Sequence, residues 1–155
     1  MSGNFKKRLA EMGVTLPEAA APAANYVAYV QIGDLVHVSG QLPMSDGALA
    51  TGKLGADLGI DEGAAAARLC AISLLSQVRH ACGGDLDRLE RVVKLVGFVN
   101  STGDFTDQPK VINGASDFMV EALGDAGRHA RSAVSAASLP FGVAVEIEGL
   151  FLIRP

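Results

Sequence analysis

Two helix-like segments, each lying between strand-like runs, restrict the fold of this chain more than any other feature. The first helical pattern follows Asp61 and ends at Gly83-Gly84, and the second covers residues 108–123. Apolar runs rich in β-branched residues surround them, at 26–32, 35–42, 91–99, 131–137 and 143–153. The order β-β-α-β-α-β-β predicts an α/β (α+β) fold, in which a mixed sheet carries its two helices on one face.

Local signals set the boundaries of these elements. Gly33-Asp34, between the first two apolar runs, is typical of a hairpin turn. Asp61 is the expected N-cap of the first long helix, because its carboxylate can accept hydrogen bonds from the unpaired backbone N–H groups there. Residues 43–59 show no periodicity, and they are expected to form a loop.

The composition favours a single soluble domain. Of the 155 residues, 49% are hydrophobic and 19% are charged, so the chain can build a core and is not a disordered protein. We expect one domain over residues 1–155, in which about 1–24 form an N-terminal extension with a short helix at 5–12. No apolar run approaches the ~20 residues of a membrane span, and the first residues lack a signal-peptide core. A cytoplasmic protein without a membrane partner is therefore expected.

Charge and hydropathy bear on the partners. Thirteen Lys and Arg residues against seventeen Asp and Glu give a net charge of −4, which argues against a nucleic-acid partner, because such proteins usually carry a basic surface. The mean hydropathy of +0.29 is high for a monomer of this size, so we expect other subunits to cover the sheet face that lacks helices. Cys70, Cys82 and the three histidines show no metal-ligand spacing, and no metal or other cofactor is expected.

Two charged positions in the strand-like runs could carry chemistry. Glu146 and Glu148 lie two residues apart in an apolar run, where a carboxylate must be paired, hydrogen-bonded or protonated. The alternative is that this run forms an edge strand and both glutamates lie on its solvent-exposed face. Arg131 opens a run of small residues that leave room for a bidentate grip on a carboxylate, and the alternative there is a solvated arginine.

Two further positions break the local pattern. Ser39-Gly40 ends a strand-like run, where a ligand can approach the backbone closely, although serine is common in turns. Asn113-Gly114 interrupts a helical pattern, either as a tolerated defect or as a place that a ligand passes.

Several segments together resemble the RidA/YjgF family, the reactive-intermediate deaminases that older descriptions call L-PSP endoribonucleases. The segments are VSGQLP, RVVKLVGFVNSTGDF, the helix bearing Val111-Ile112-Asn113, and HARSAVSAASLPFGVAVEIE. The last segment is the most specific, because it places Arg131 and Glu146 fifteen residues apart. The resemblance covers about residues 20–155 and indicates a divergent branch of the family.

The resemblance implies a chorismate-mutase-like fold and a homotrimer with three ligand clefts between subunits. It assigns Arg131 to the substrate carboxylate and Glu146 to the positioning or activation of water. The remaining cleft residues that it implies are Ser39, Gly40, Tyr26, Asn113 and Ala133. Position 133 is often Cys in the family, but the backbone N–H of Ala133 can still donate to a carboxylate. Tyr29 is an alternative to Tyr26, because the Gly-Pro that usually precedes the tyrosine is absent here.

The reaction implied by the resemblance is hydrolysis of a small 2-imino or 2-enamino acid to a 2-oxo acid and ammonia. Glu146 would be general base and proton shuttle, and because such substrates are already reactive, acid–base help of ~10²–10⁴-fold would suffice without a cofactor. One alternative is a protein that binds a small carboxylate without turnover. An endoribonuclease is disfavoured by the negative charge and the absence of Trp.

Overall fold

The structure is a computed structural model and describes residues 4–155. The helices are α1 (Phe5–Glu11), α2 (Ile60–Ala81) and α3 (Gln108–Leu123). The strands are β1 (Tyr29–Ile32), β2 (Leu35–Gln41), β3 (Met44–Ser45), β4 (Ala48–Leu49), β5 (Leu89–Asn100), β6 (Ala130–Ala136) and β7 (Val145–Ile153). Five strands form one sheet in the order β1-β2-β7-β5-β6, where β5 and β6 pair in parallel and the other neighbours are antiparallel. The predicted mixed α/β sheet is confirmed.

Helices α2 and α3 cover one face of this sheet and contact each other along their length. The apolar side of α2 is fully buried at Ala67, Ala71, Leu74, Leu75 and Val78. Glycine is required at position 114 of α3, because a β-carbon there would collide with the backbone of Ala64. The Gly in the Asn113-Gly114 pair is therefore explained by helix packing, which also fixes the position of Asn113.

The start of α2 differs from the prediction. The helix begins at Ile60 with Gly59 as N-cap, so the expectation that Asp61 caps it is wrong. Instead, Glu62 Oε1 in the first turn accepts a hydrogen bond from the Gly59 N–H at 3.1 Å. A glycine cap has no side chain that could accept from the N–H groups of the first turn, and the carboxylate three residues later accepts from the N–H of the cap residue itself.

The segment 43–59 is not simply a loop. It contains the hairpin β3–β4, whose turn residues Asp46 and Gly47 have φ angles of 51° and 78°. Asp-Gly is a favourable pair for such a turn, but the two-residue strands are too short to show alternation in the sequence. Strand β1 also begins later than predicted, at Tyr29 instead of position 26.

The N-terminal extension packs against the rest of the domain. Phe5 of α1 is buried in the main core, and its backbone N–H donates to Asp87 Oδ1 at 2.7 Å. Further along the extension, the Ala20 carbonyl accepts a hydrogen bond from Gln77 Nε2 of α2 at 2.8 Å. The extension thus runs over α2 before it turns into β1.

The sheet face opposite the helices, called the open face below, carries an apolar surface. Alternation along the strands places Val30, Ile32, Val96, Phe98, Val134, Leu150 and Leu152 on this face. Ile32 is 66% exposed and Val134 is 46% exposed. Aliphatic side chains grouped in this way on a sheet are typical of a surface that another protein molecule covers.

Candidate active site

Glu146 lies on the open face in the middle of the sheet. Strand β7 runs between β2 and β5, so the edge-strand alternative for its glutamates is wrong. Val145 and Ile147 are fully buried, whereas Glu146 is half-buried and Glu148 is exposed. Burial raises the pKa of the Glu146 carboxyl, and the charge of Glu148 raises it further. A carboxylate with a raised pKa is better suited to take up a proton near neutral pH than an ordinary one.

Gly40 provides the space that this carboxylate occupies. A β-carbon on Gly40 would collide with the Glu146 carboxyl group, so the side chain lies directly over the Gly40 backbone. The residue precedes the end of β2, where the register between β2 and β7 shifts at a bulge. Glycine is therefore needed at position 40 because a charged side chain lies close to the backbone there, and not because the chain turns.

The bulge is held by the residues on either side of Gly40. Gln41 Nε2 donates to the Ser39 carbonyl at 3.0 Å, and Gln41 Oε1 accepts from Ser73 Oγ of α2 at 2.7 Å. Ser39 Oγ donates to the Val27 carbonyl at 2.8 Å, which ties the segment before β1 to β2. Sequence reasoning gave Gln41 no role, although a glutamine directly after Ser39-Gly40 at the end of an apolar run could have indicated one.

Of the two candidate tyrosines, Tyr26 shares a cavity with Gly40. This cavity has a volume of about 290 Å³, and Tyr26 on its wall is 48% exposed. Tyr29 does not line this cavity, and its hydroxyl oxygen lies 2.7 Å from His80 Nδ1 of α2. Tyr29 is therefore the less suitable of the two for contact with a ligand there.

Most of the cavity wall is apolar. The lining side chains include Pro22, Leu42, Met44, Leu49 and Phe141. Phe141 is 67% exposed and has a φ of 60°, a left-handed conformation that is unfavourable for a bulky residue. The short 3₁₀ turn Pro140–Gly142 therefore presents an aromatic ring at the cavity at some conformational cost.

Arg131 lies near the start of the edge strand β6, and α3 holds its guanidinium group. Nη1 donates to Asn113 Oδ1 at 2.8 Å and to Ser116 Oγ at 3.0 Å, and Nη2 donates to the Pro109 carbonyl at 3.2 Å. Within residues 4–155, the Nε–H and the second Nη2–H donate to no protein atom. The half-buried Arg131 is therefore held by the protein on one side, and two N–H groups on its other side remain for a ligand or for water.

His129 extends this cluster. Its Nδ1 lies 2.6 Å from the Gly127 carbonyl oxygen, and its Nε2 lies 2.9 Å from Ser116 Oγ. Burial lowers the pKa of His129; the Gly127 hydrogen bond raises it, and the charge of Arg131 lowers it. Sequence reasoning missed Ser116 and His129. Their spacing could have indicated them, because Ser116 lies one helical turn after Asn113, and His129 lies two residues before Arg131.

The predicted site residues form two clusters that do not meet within one chain. Arg131 is in register with Leu95, which is fully buried against the helices, and Ala133 lies on the same face as Arg131. Glu146 is in register with Phe98 on the open face. One chain therefore presents Arg131 and Glu146 on opposite faces of its sheet.

The described residues show no sign of a metal centre or a membrane span. Within residues 4–155, no three His, Cys, Asp or Glu side chains are close enough together to hold a metal ion. Cys70 and Cys82 are buried and do not form a disulfide, and burial raises the pKa of both thiols. In the same range, none of the helices is apolar over the length that crossing a bilayer requires.

The family follows from comparison with known proteins. The model of the family described as "YjgF/chorismate_mutase-like, putative endoribonuclease" matches residues 6–150. The chain belongs to the RidA/YjgF family. Protein TCP17 of Trypanosoma cruzi is 55% identical over 151 residues, which cover 96% of this chain and 94% of that protein.

Solved structures place the chain within the RidA/YjgF family. It is 48% identical to Atu1372 of Agrobacterium tumefaciens, described as of unknown function, with a TM-score of 0.90 and coverage of 97% and 92% of the two chains. It is 35% identical to a "putative endoribonuclease" of Shewanella oneidensis, with a TM-score of 0.92 and coverage of 96% and 99%. RidA of a Psychrobacter species is 28% identical, with a TM-score of 0.61 and coverage of 88% and 94%. The lower TM-score agrees with a branch that has diverged from RidA.

Proposed function

We propose that this protein hydrolyses 2-imino and 2-enamino acids to 2-oxo acids and ammonia. The observation that carries the proposal is the Arg131 guanidinium, which three hydrogen bonds to α3 hold in place while its Nε–H and one Nη2–H stay available. A planar fork held in this way suits the carboxylate that all such substrates share. Membership of the RidA/YjgF family supports the same reaction.

In the proposed reaction, Arg131 binds the substrate carboxylate and Glu146 handles the protons. An enamine first gains a proton at C3 and loses one from its nitrogen, which makes it the imine. Glu146 takes a proton from a water molecule, whose oxygen bonds to C2 of the imine. Glu146 then passes this proton to the nitrogen, which gives a carbinolamine. Glu146 next moves the proton of the new C2 hydroxyl to the same nitrogen, the C2–N bond breaks, and ammonia leaves as the C2–O double bond of the 2-oxo acid forms. The raised pKa of Glu146 favours both proton transfers near neutral pH.

The proposed working unit is a homotrimer, with the open faces of three copies packed together. The exposed aliphatic side chains on this face support such packing. The separation of Arg131 and Glu146 within one chain supports clefts to which two copies contribute. Light scattering after gel filtration should then give three times the 16.0 kDa chain mass.

A subunit-mixing experiment tests the shared cleft directly. Arg131→Ala and Glu146→Gln variants are each expected to be inactive, since either change removes one half of every site. Co-expressed or refolded together, they should regain part of the activity, because some clefts of mixed trimers receive both native residues. No recovery from verified mixed trimers would contradict the shared cleft.

The test of the function is an imine assay. An amino-acid oxidase generates the imine, and release of the 2-oxo acid is followed with and without the protein. The wild type should accelerate release, and Arg131→Ala should not. Arg128→Ala is the matched control, because Arg128 is exposed and pairs with Asp125. Equal rates for the wild type and Arg131→Ala would contradict the proposal.

A second candidate is a protein that binds a small carboxylate without turnover. The arginine cluster favours this candidate, because α3 holds the carboxylate-binding group in place without any contribution from Glu146. Stabilisation by 2-oxo acids in a thermal shift experiment, with no acceleration in the imine assay, would indicate this binder. The endoribonuclease named in the family description is disfavoured by the net charge of −4.

A further inference from the structure

We propose that Ser116 and His129 are positioning residues for Arg131: the His129 ring fixes the Ser116 hydroxyl so that its oxygen accepts from Arg131 and aims the free side of the guanidinium at the ligand. The inference rests on the proposed function, in that Arg131 is the group that binds the carboxylate. It assigns no direct substrate contact to either residue.

Hydrogen bonds link the Gly127 carbonyl, His129, Ser116 and Arg131 in that order, and the two end groups fix the direction of each bond. The Gly127 carbonyl can only accept, so the His129 Nδ1 at 2.6 Å from it carries the proton. In the neutral ring Nε2 is then an acceptor, and Ser116 Oγ at 2.9 Å must donate to it. The guanidinium can only donate, so Ser116 Oγ uses a lone pair for Arg131 Nη1 at 3.0 Å.

The local fold places these groups together. Asn113 and Ser116 are three residues apart on α3, and both side chains therefore reach the same Nη1 of Arg131. Gly127 lies against the backbone of Met119 so closely that a β-carbon would collide with it. This contact anchors the carbonyl that fixes the tautomer of His129.

The neutral ring also suits the electrostatics. His129 and Arg131 both contact Ser116, so an imidazolium would lie close to a guanidinium. Burial and Arg131 each disfavour the charged ring, and the Gly127 hydrogen bond opposes them. With Nε2 protonated, the Ser116 hydroxyl would also lose its acceptor.

The consequence for Arg131 is a fixed orientation before a ligand arrives. Both Nη1 protons are used by Asn113 and Ser116, and the Pro109 carbonyl accepts from Nη2. A ligand then does not have to order the side chain, which removes part of the cost of binding. Loss of the Ser116 acceptor should weaken carboxylate binding on the order of tenfold, with little effect on the chemical step.

The experiment compares Ser116→Ala, His129→Gln and His129→Asn with the wild type. The amide oxygen of Gln can take the place of Nε2 and accept from Ser116, whereas the shorter Asn reaches only the Nδ1 position. We expect Ser116→Ala and His129→Asn to raise KM for the imine and Kd for 2-oxobutanoate about tenfold at nearly constant kcat. His129→Gln should stay close to the wild type. The double variant Ser116→Ala, His129→Asn should be no worse than Ser116→Ala alone, since His129 acts through Ser116.

Several outcomes would overturn the inference. These are equal losses for His129→Gln and His129→Asn, additive losses in the double variant, or a change in kcat alone. A further test needs no ligand: ¹⁵N NMR of the His129 ring should show the neutral form protonated at Nδ1, and an Nε2-protonated form contradicts the inference. If the wild type shows that tautomer but neither binds 2-oxo acids nor turns over imines, the proposed function fails and the hydrogen-bond assignment stands.

Discussion

The surroundings of Arg131 and Glu146 differ in how each charged group is held. The Arg131 guanidinium donates to three protein acceptors, two of them side chains of α3. Within residues 4–155, by contrast, no group donates a hydrogen bond to the Glu146 carboxylate, which lies half-buried over the Gly40 backbone. The arginine cluster thus fixes one orientation, as a binding group requires. The glutamate is left poorly solvated, and a group that exchanges protons benefits from this.

Glu146→Gln should produce the largest effect of any change on the glutamate side. The amide keeps the shape but cannot take a proton, so kcat should fall ~10²–10⁴-fold while KM changes little. In the wild type, kcat should decrease as the pH is lowered through the pKa of Glu146. Because that pKa is raised by burial and by Glu148, the decrease should begin at a higher pH than for an ordinary carboxyl.

Glu148→Gln is the matched control for this prediction. Glu148 is exposed two residues further along the same strand and face. Its loss should leave kcat nearly unchanged and shift the pH profile slightly towards lower pH, because one of the charges that raise the Glu146 pKa is gone. If both variants lose the same activity, the two glutamates are not functionally distinct.

Gly40→Ala probes how strictly the glutamate is placed. The added β-carbon would collide with the Glu146 carboxyl group, which must then move away from its position. We expect kcat to fall about tenfold, because misplacement of a reacting group by about 1 Å is costly. Gly103→Ala is the control, since a β-carbon there meets no atom within 4 Å and its φ is not positive. Unchanged kinetics in Gly40→Ala would show that the carboxylate position does not matter.

The sequence predicts the fold better than it predicts the site. Strand and helix patterns predicted the long elements, including α3 at its observed bounds. Such elements bury one face, so apolar residues recur along the sequence with the period of the helix or strand. The hairpin at 43–59 left none, since two residues cannot show alternation. Within the site, Arg131 and Glu146 stood out as charges in apolar runs. Ser116 and His129 are common polar residues. Their spacing from Asn113 and Arg131 is a weak signal, because their hydrogen bonds depend on how α3 packs beside the segment that leads into β6.

Phe141 allows a smaller test on the cavity that Gly40 shares. Both Phe141→Ala and Phe141→Gly remove the ring, but only glycine adopts a φ of 60° without strain. After allowance for the flexibility of glycine in the unfolded chain, Phe141→Gly should be about 0.5–1 kcal/mol more stable than Phe141→Ala. Urea denaturation measures the difference.

The same two variants test the role of the ring. If the apolar cavity receives the substrate side chain, both should lose more activity on a leucine-derived imine than on an alanine-derived one, by a factor of about 5–10 for one lost aromatic contact. Equal losses of activity on both imines would mean that this cavity does not bind the substrate side chain.

The smallest expected effect is that of Glu146→Gln on stability. Its sign shows whether the glutamate is held as firmly as Arg131. The pKa of Glu146 is raised in the folded protein, so folding favours its protonated form. Its contribution is therefore fully favourable below the unfolded pKa of about 4.3 and is lost as the pH rises through the folded pKa. Glu146→Gln should consequently have a Tm about 1–3 °C above the wild type at pH 8, and the gain should disappear near pH 4. A lower Tm at pH 8 would mean that a cation, such as Arg131 of another copy, stabilises the carboxylate even without substrate, and that the glutamate is held as firmly as the arginine.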